Sequence, residues 1–126
     1  METKGVPLRI IRGLLVKQRG RCAITGVPLD PAEVNGDHII PLSRRELDPS
    51  FGADNIWIVD KRSNAMKGAM TYDELVEMAR LVLDHETQSR ELKKAIENGT
   101  IRSVEKPEFD EWVSENCDVD GRVLER

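Results

Sequence analysis

The stretch NGDHIIPLSRRELDPSFGADNIWIVDKRSNAMKG, residues 35–68, carries most of the side chains to which chemistry can be assigned. It holds His38, one of only two histidines in the chain, with the carboxylate of Asp37 directly before it. Two amide side chains follow, Asn55 and Asn64, with apolar and basic residues between them. An acid, an imidazole and two amides in one short stretch make it the candidate functional segment.

The same stretch has the pattern of two strands followed by a helix. DHIIPL, residues 37–42, is β-branched and apolar but contains a proline, which fits an edge strand or a strand end. NIWIV, residues 55–59, is the strongest strand pattern in the chain, and the 12-residue connection between the two predicts a wide hairpin. Ser63 can cap a short helix that runs through Lys67 and ends at Gly68.

Helices are predicted on both sides of this segment. Residues 7–19, PLRIIRGLLVKQR, place apolar side chains at helical spacing behind a proline suited to a first turn. Residues 21–30 contain Thr-Gly and Val-Pro, which favour a tight turn or short hairpin. TYDE forms a capping box that opens a helix over residues 71–84. Another helix is predicted for residues 86–97, and one or two turns for residues 108–116.

Length and composition limit the classes to which the protein can belong. With 126 residues, 39% hydrophobic and 33% charged, the chain suffices for one soluble domain with a modest core. No apolar run approaches the roughly 18 residues of a membrane span, and the N-terminus lacks a signal-peptide layout. We therefore expect a single cytoplasmic α+β domain over residues 1–126, with an N-terminal helix (1–20), a core (21–70) and a helical C-terminal region (71–126).

Charge is distributed unevenly along the chain. The net charge of −4 alone argues weakly against a nucleic-acid partner. Residues 1–70, however, carry 11 Lys and Arg against 8 Asp and Glu, a net charge of +3. Residues 71–126 carry 8 against 15, a net charge of −7. The basic charge thus accompanies the candidate functional segment, where a phosphate would bind.

The chain has two cysteines, Cys22 and Cys117. Disulfides are rare in the cytosol, so two free thiols are expected.

The candidate residues match what phosphodiester hydrolysis needs: an activated water, a cation on the phosphate and help for the leaving oxygen. A histidine titrates near neutral pH and suits the general base. Mg²⁺ prefers oxygen ligands and keeps several waters, so Asp37 with Asn64 would form a sparse site.

Each residue also has a plain structural interpretation. A single histidine such as His38 is more often a satisfied core side chain, Asn55 alone would begin a strand, and Asn64 alone would lie at a helix start. Trp57 fits the core better than a base-stacking role. Four basic residues have two alternative interpretations: each is simply solvated, or together they bind backbone phosphates. They are Arg44, Arg45, Lys61 and Arg62.

The order of these residues resembles the HNH nuclease motif in its His-Asn-Asn form. The family pattern is Asp-His-Ile-x-Pro-x-Ser, then Asn-Leu on the second strand, then Asn-x-x-Lys on the helix. This chain has DHIIPLS at residues 37–43, Asn55-Ile56, and NAMK at residues 64–67. The resemblance covers about residues 20–70.

The resemblance implies a ββα-metal core with additional helices at both ends, and DNA as substrate. His38 would take the proton from the attacking water. Asp37 and Asn64 would bind one divalent cation, for which Mg²⁺ is the first expectation and Mn²⁺ or another divalent cation the alternative. Asn55 would hold the loop or the base, and Lys67 would contact phosphate. Adjacent strand residues point to opposite faces, so both members of the Asp-His pair can serve one phosphate only if the backbone there is irregular or the phosphate lies along the strand end.

Many HNH proteins also carry a structural zinc on two Cys-x-x-Cys pairs. The corresponding positions here are Cys22 with Thr25 and Asp60 with Ser63, so three of four thiolates are missing. Structural zinc needs four S or N ligands, and no structural zinc is therefore predicted.

The sequence favours an HNH-type DNA endonuclease and leaves two alternatives open. One is a non-catalytic module of the same fold that binds DNA or protein. The other is a subunit of a larger DNA-processing machine, such as phage packaging, that docks a protein partner through residues 85–126. No membrane partner is expected.

Overall fold

A computed structural model describes residues 6–100 and 111–125. Over these residues the chain is α+β, with one two-stranded antiparallel sheet and five α-helices. The elements in chain order are α1 (Leu8–Lys17), β1 (Val34–His38), β2 (Ile56–Asp60), α2 (Lys61–Lys67), α3 (Tyr72–Asp84), α4 (Glu86–Glu97) and α5 (Glu111–Asn116).

β1 and β2 form a hairpin in a continuous antiparallel register that runs from Val34 opposite Asp60 to His38 opposite Ile56. β1 lies earlier than the predicted residues 37–42 and shares only its last two residues with them. The ladder ends there because the backbone of Ile40 bonds to a side chain instead of to a strand, and the following proline has no N–H to donate.

The hydrophobic core lies between α1 and the hairpin. Its buried members are Val6, Ile11, Ile56 and Ile58. Ile11 comes from the apolar stripe predicted for α1, and the alternation of β2 turns Ile56 and Ile58 toward the same side. This packing fixes α1 against the strand that leads into α2.

The side-chain amide of Gln18, just after α1, extends the sheet. Its Nε2 donates to the Ile58 carbonyl oxygen at 2.8 Å, and its Oε1 accepts from the Ile58 N–H at 3.1 Å. The Ala23 N–H donates to the same carbonyl at 3.0 Å. The backbone groups of Ile58 that do not reach β1 are thereby satisfied.

The segment between α1 and β1 contains the tight turn predicted from its Thr-Gly and Val-Pro dipeptides. Arg21 and Pro28 form an isolated antiparallel bridge, and the Cys22 N–H donates to the Val27 carbonyl at 2.8 Å. Gly26 has a φ of +75°, a left-handed conformation that glycine adopts at little cost.

α2 and α3 both begin at side-chain caps. Asp60 caps α2 by accepting from the Ser63 N–H, so this helix starts two residues before the predicted cap at Ser63. The capping box of α3 forms as predicted, because the Thr71 N–H donates to Glu74 Oε1 at 2.9 Å and the Glu74 N–H to Thr71 Oγ1 at 3.2 Å.

The chain divides into two compact units, Met1–Asp84 and His85–Arg126. The second unit contains α4 at the predicted residues and α5 inside the predicted residues 108–116, of which 108–110 lie outside the described part. Cys117 and Val123 form a short bridge after α5. Among the helices of the described ranges, none has the length and apolarity that crossing a membrane demands.

Candidate active site

An open cleft of about 570 Å³ lies between the end of β1 and the start of α2. His38, the last residue of β1, and Asn64, in the first turns of α2, both contribute to its wall. They meet because α2 follows β2 without a connecting loop, which keeps the helix beside the hairpin. Lys61 and the segment leading into β1 supply the rest of the wall.

Asp37 is directed away from this cleft. Its side chain is 6% exposed, whereas the neighbouring His38 is half-buried, as expected for adjacent residues of a regular strand. Asp37 Oδ2 accepts a hydrogen bond from the indole Nε1 of Trp57 at 2.7 Å. Lys67 Nζ lies 3.2 Å from each carboxylate oxygen. The structure therefore brings His38 and Asn64 together but leaves Asp37 on a separate set of contacts.

Lys67 is fully buried at the end of α2. Besides Asp37 it donates to the carbonyl oxygen of His38 at 2.9 Å, so one ammonium ties the helix to two successive residues of β1. The direct phosphate contact that the HNH resemblance implies would require this ion pair to open.

Asn55 immediately precedes β2 and is 4% exposed. Its carboxamide bonds to both backbone groups of Ile40 and donates to the Ser50 carbonyl oxygen at 2.9 Å. The side chain thus connects the loop between the strands to the start of β2.

The four basic residues proposed to grip phosphate have different environments. Arg44 is bound to the carboxylates of Glu74 and Glu46 and to the Ala69 carbonyl oxygen, and these acidic partners raise its pKa. A phosphate would have to displace them. The remaining three are exposed, namely Arg45, Lys61 and Arg62. Lys61 lies in the cleft wall, 3.8 Å from Glu33.

The four positions corresponding to a zinc knuckle are held together by hydrogen bonds. Cys22 Sγ lies 3.5 Å from Ser63 Oγ, and Asp60 accepts from the Ser63 N–H. Burial opposes ionisation of the Cys22 thiol, but hydrogen bonds with Thr25, Ser63 and Asp60 outweigh it and lower its pKa. These contacts attach the turn after α1 to the start of α2.

The resemblance assigns one divalent cation to Asp37 and Asn64. Each oxygen of Asp37 already faces an ammonium or an indole donor, and only Asn64 faces the cleft. The two side chains as arranged do not fit a shared cation. Within residues 6–100 and 111–125 no three His, Cys, Asp or Glu side chains are grouped as metal ligands. A site built from one carboxylate and one amide would not form such a group.

Two side-chain contacts near the candidate site and the sheet do not follow from the sequence patterns. The sequence predicts Trp57 in the core. In the structure its indole N–H donates to Asp37, and its ring packs edge-on against Tyr72 with centroids 5.4 Å apart. No sequence pattern predicts the contact of Gln18, which ties α1 to β2. The antiparallel register, which places Trp57 directly opposite Asp37, is the signal that would have revealed the first contact.

Comparison of the chain with protein-family models gives no match, and no curated protein matches it either. The assignment of function therefore rests on the residues and their arrangement.

Proposed function

We propose that this chain is an HNH-type endonuclease that hydrolyses DNA phosphodiester bonds, with β1, β2 and α2 as its ββα-metal core. The observation that carries the proposal is the open cleft shared by His38 and Asn64 where the hairpin meets the helix. The strand–strand–helix order and the position of Lys61 in the same wall agree with it.

In the proposed reaction His38 acts as general base. His38 is half-buried and lines the open cleft of about 570 Å³. The imidazole takes a proton from a water whose oxygen attacks phosphorus, and the bond from phosphorus to the leaving oxygen breaks. General-base proton transfer of this kind raises a reaction rate by roughly 10²–10⁴-fold.

Exposed basic residues would bind the DNA backbone around the cleft. Lys61 lies in the cleft wall, and Arg45 and Arg62 are exposed on the segments before and after β2. Contacts of this kind neutralise the charge of backbone phosphates and do not distinguish one DNA sequence from another. Their contribution to DNA affinity should therefore fall as the salt concentration rises.

The HNH resemblance adds one divalent cation to the proposal. Mg²⁺ is the preferred candidate, with Mn²⁺ or another divalent cation as alternatives. When bound it would stabilise negative charge on the scissile phosphate and the leaving oxygen. Asn64 can offer its amide oxygen from the cleft wall. Asp37, which is engaged by Lys67 and Trp57, does not fit a cation shared with Asn64 as the two side chains are arranged.

The proposal is tested by incubating supercoiled plasmid with the purified chain in EDTA, Mg²⁺, Mn²⁺ or Ni²⁺. Nicked or linear product that requires a divalent cation is expected. Intact plasmid in every metal, with a folded protein by circular dichroism, would overturn the nuclease assignment.

A second candidate is a non-catalytic DNA-binding module of the same fold. The observation that favours it is the closed pairing of Asp37 with Lys67 and Trp57, which leaves the cleft without a free carboxylate from β1. DNA binding that persists in EDTA, together with intact plasmid in the metal panel, would select this function over hydrolysis.

The unit beginning at His85 is proposed to dock a protein partner, as in a larger DNA-processing machine. Leu92 and Ile96 are exposed on α4, and Trp112 is exposed on α5. Phe109, within the residues 85–126 predicted to dock a partner, lies outside the described residues. Both cysteines are free, in keeping with a cytoplasmic location.

A further inference from the structure

The peptide group between His38 and Ile39 is held at both of its polar atoms. Its carbonyl oxygen, on His38, accepts from the Lys67 ammonium at 2.9 Å. Its N–H, on Ile39, donates to the Asn55 backbone oxygen at 3.1 Å. Because a peptide group is planar, fixing these two atoms fixes the direction in which the chain leaves His38. The place of His38 in the cleft wall therefore depends on contacts made at its own backbone.

Lys67 is itself held by a buried carboxylate. It is 0% exposed, and its Nζ lies 3.2 Å from each oxygen of Asp37, which is 6% exposed. Asp37 also accepts from the Trp57 indole at 2.7 Å, and the Trp57 ring packs edge-on against Tyr72 of α3. A buried ion pair is often no more stabilising than apolar side chains of similar size. What this pair adds is a charged donor fixed at the last residue of α2 and directed at the end of β1.

We propose that Lys67 is a positioning residue, which holds the backbone of His38 and thereby its place in the cleft wall, and that Asp37 is the counter-ion of Lys67. The inference rests on the proposed function, which makes His38 the general base. Lys67 is fully buried, and the lining of the cleft includes His38 but not Lys67. Its effect on the reaction is therefore transmitted through His38 and not through a phosphate.

The test removes the two buried charges together. Asp37→Asn with Lys67→Met, the buried-pair variant, leaves no unpaired ion in the interior, and the amide keeps an oxygen for the Trp57 indole. One charge of each sign is removed, so the net charge of the chain does not change. The matched control is Lys93→Met with Glu97→Gln, which removes an ion pair of the same charges, 2.7 Å apart, from the exposed surface of α4.

Amide hydrogen exchange followed by NMR measures the backbone contact directly. The reference is the Ile58 N–H, which donates to Gln18. In the buried-pair variant the Ile39 N–H should exchange at least about tenfold faster relative to Ile58, since its peptide group loses a bond from a charged donor. The control should change this ratio by less than about twofold. An unchanged ratio, including equal acceleration at both amides through a general loss of stability, would overturn the positioning role of Lys67.

Plasmid cleavage supplies the catalytic measurement. In the buried-pair variant kcat should fall at least about tenfold while KM for plasmid changes by less than about twofold, because the lost contact lies on the backbone of the base. A raised KM with unchanged kcat would identify Lys67 as a DNA contact and overturn the inference. A lowered kcat without faster exchange at Ile39 would also overturn it, because Lys67 would then act by some route other than the His38 backbone.

A measurement on the unaltered pair covers the case in which the buried-pair variant fails to fold. In the parent, the Lys67 ammonium should give a solvent-protected NMR signal with a hydrogen-bond coupling to the carbonyl carbon of His38. The exposed ammonium of Lys93 should show neither property. A Lys67 ammonium that exchanges as fast as that of Lys93 would overturn the inference.

The outcomes separate this inference from the nuclease proposal. Cleavage by the parent together with an unchanged exchange ratio in the buried-pair variant would overturn the positioning role alone. Selectively faster exchange at Ile39, with no cleavage by the parent in any metal, would overturn the nuclease and still support Lys67 as the residue that holds the His38 backbone.

Discussion

The carboxamide of Asn55 bonds to Ile40 as a neighbouring strand would, accepting from its N–H at 2.8 Å and donating to its carbonyl oxygen at 2.9 Å. The same amide donates to the Ser50 carbonyl oxygen, and the Asn55 backbone oxygen accepts from Ile39. One buried side chain thus fixes both ends of the loop that follows the candidate base, and joins that loop to β2.

Replacing Asn55 with alanine should destabilise the chain by about 2–4 kcal/mol, because the part-buried backbone groups of Ile40 lose their partners. Urea unfolding followed by far-ultraviolet circular dichroism measures the change. Asn98→Ala, at the exposed end of α4, is the matched control and should alter stability by less than about 0.5 kcal/mol. Equal unfolding midpoints for the two variants would contradict the role of the amide.

His38→Ala should lower the rate of plasmid cleavage by roughly 10²–10⁴-fold while leaving the fold intact, since His38 is the proposed base and lines the open cleft. The control is His85→Ala, which removes the other histidine, exposed just before α4. Initial rates on supercoiled plasmid are compared at saturating metal. Undiminished cleavage by folded His38→Ala would rule out the general-base mechanism.

The local elements of the fold were largely predictable from the sequence. The capping box that opens α3 was visible as Thr71 and Glu74 because it depends on four successive residues. The position of β1 could not be predicted from the sequence. Asn35 and Gly36 have weak strand propensity and pair only because β2 lies opposite.

The candidate site was predictable only in part. His38 and Asn64 share one cleft, as their motif positions imply. The pairing of Asp37 with Lys67 joins residues 30 apart and depends on which face of β1 meets α2. A motif names the residue types but does not state which of them satisfies a buried charge in a given conformation.

Gln18→Ala should cost about 1–3 kcal/mol, because the Ile58 N–H and carbonyl at the sheet edge lose their side-chain partner. The loss should loosen α1 from β2 and appear in urea unfolding and in faster amide exchange at Ile58. Gln88→Ala in α4, where the side chain is exposed, serves as control. Unchanged protection at Ile58 would show that the amide contact is not maintained in solution.

The knuckle positions should accept zinc once thiolates are restored. Thr25→Cys, Asp60→Cys and Ser63→Cys together would place four sulfurs where hydrogen bonds now join these residues to Cys22. Elemental analysis should find about one zinc per triple variant and none in the parent. The same three substitutions in a Cys22→Ser background provide the control, with weakened binding expected. A zinc-loaded parent would show that hydrogen bonds do not replace the metal.

Stability should depend on pH through Glu74. The hydrogen bond from Arg44 holds the pKa of this carboxyl at about 2, below the ordinary value near 4.5 that the unfolded chain retains. Its contribution to stability is therefore complete above about pH 5 and is lost as the pH falls toward about 2. Glu74→Gln should be less stable than the parent at neutral pH, and urea midpoints should show that difference shrinking on acidification. Glu77→Gln, an exposed neighbour on α3, controls for removal of one charge. A gap between parent and Glu74→Gln that stays constant with pH would contradict the ion pair.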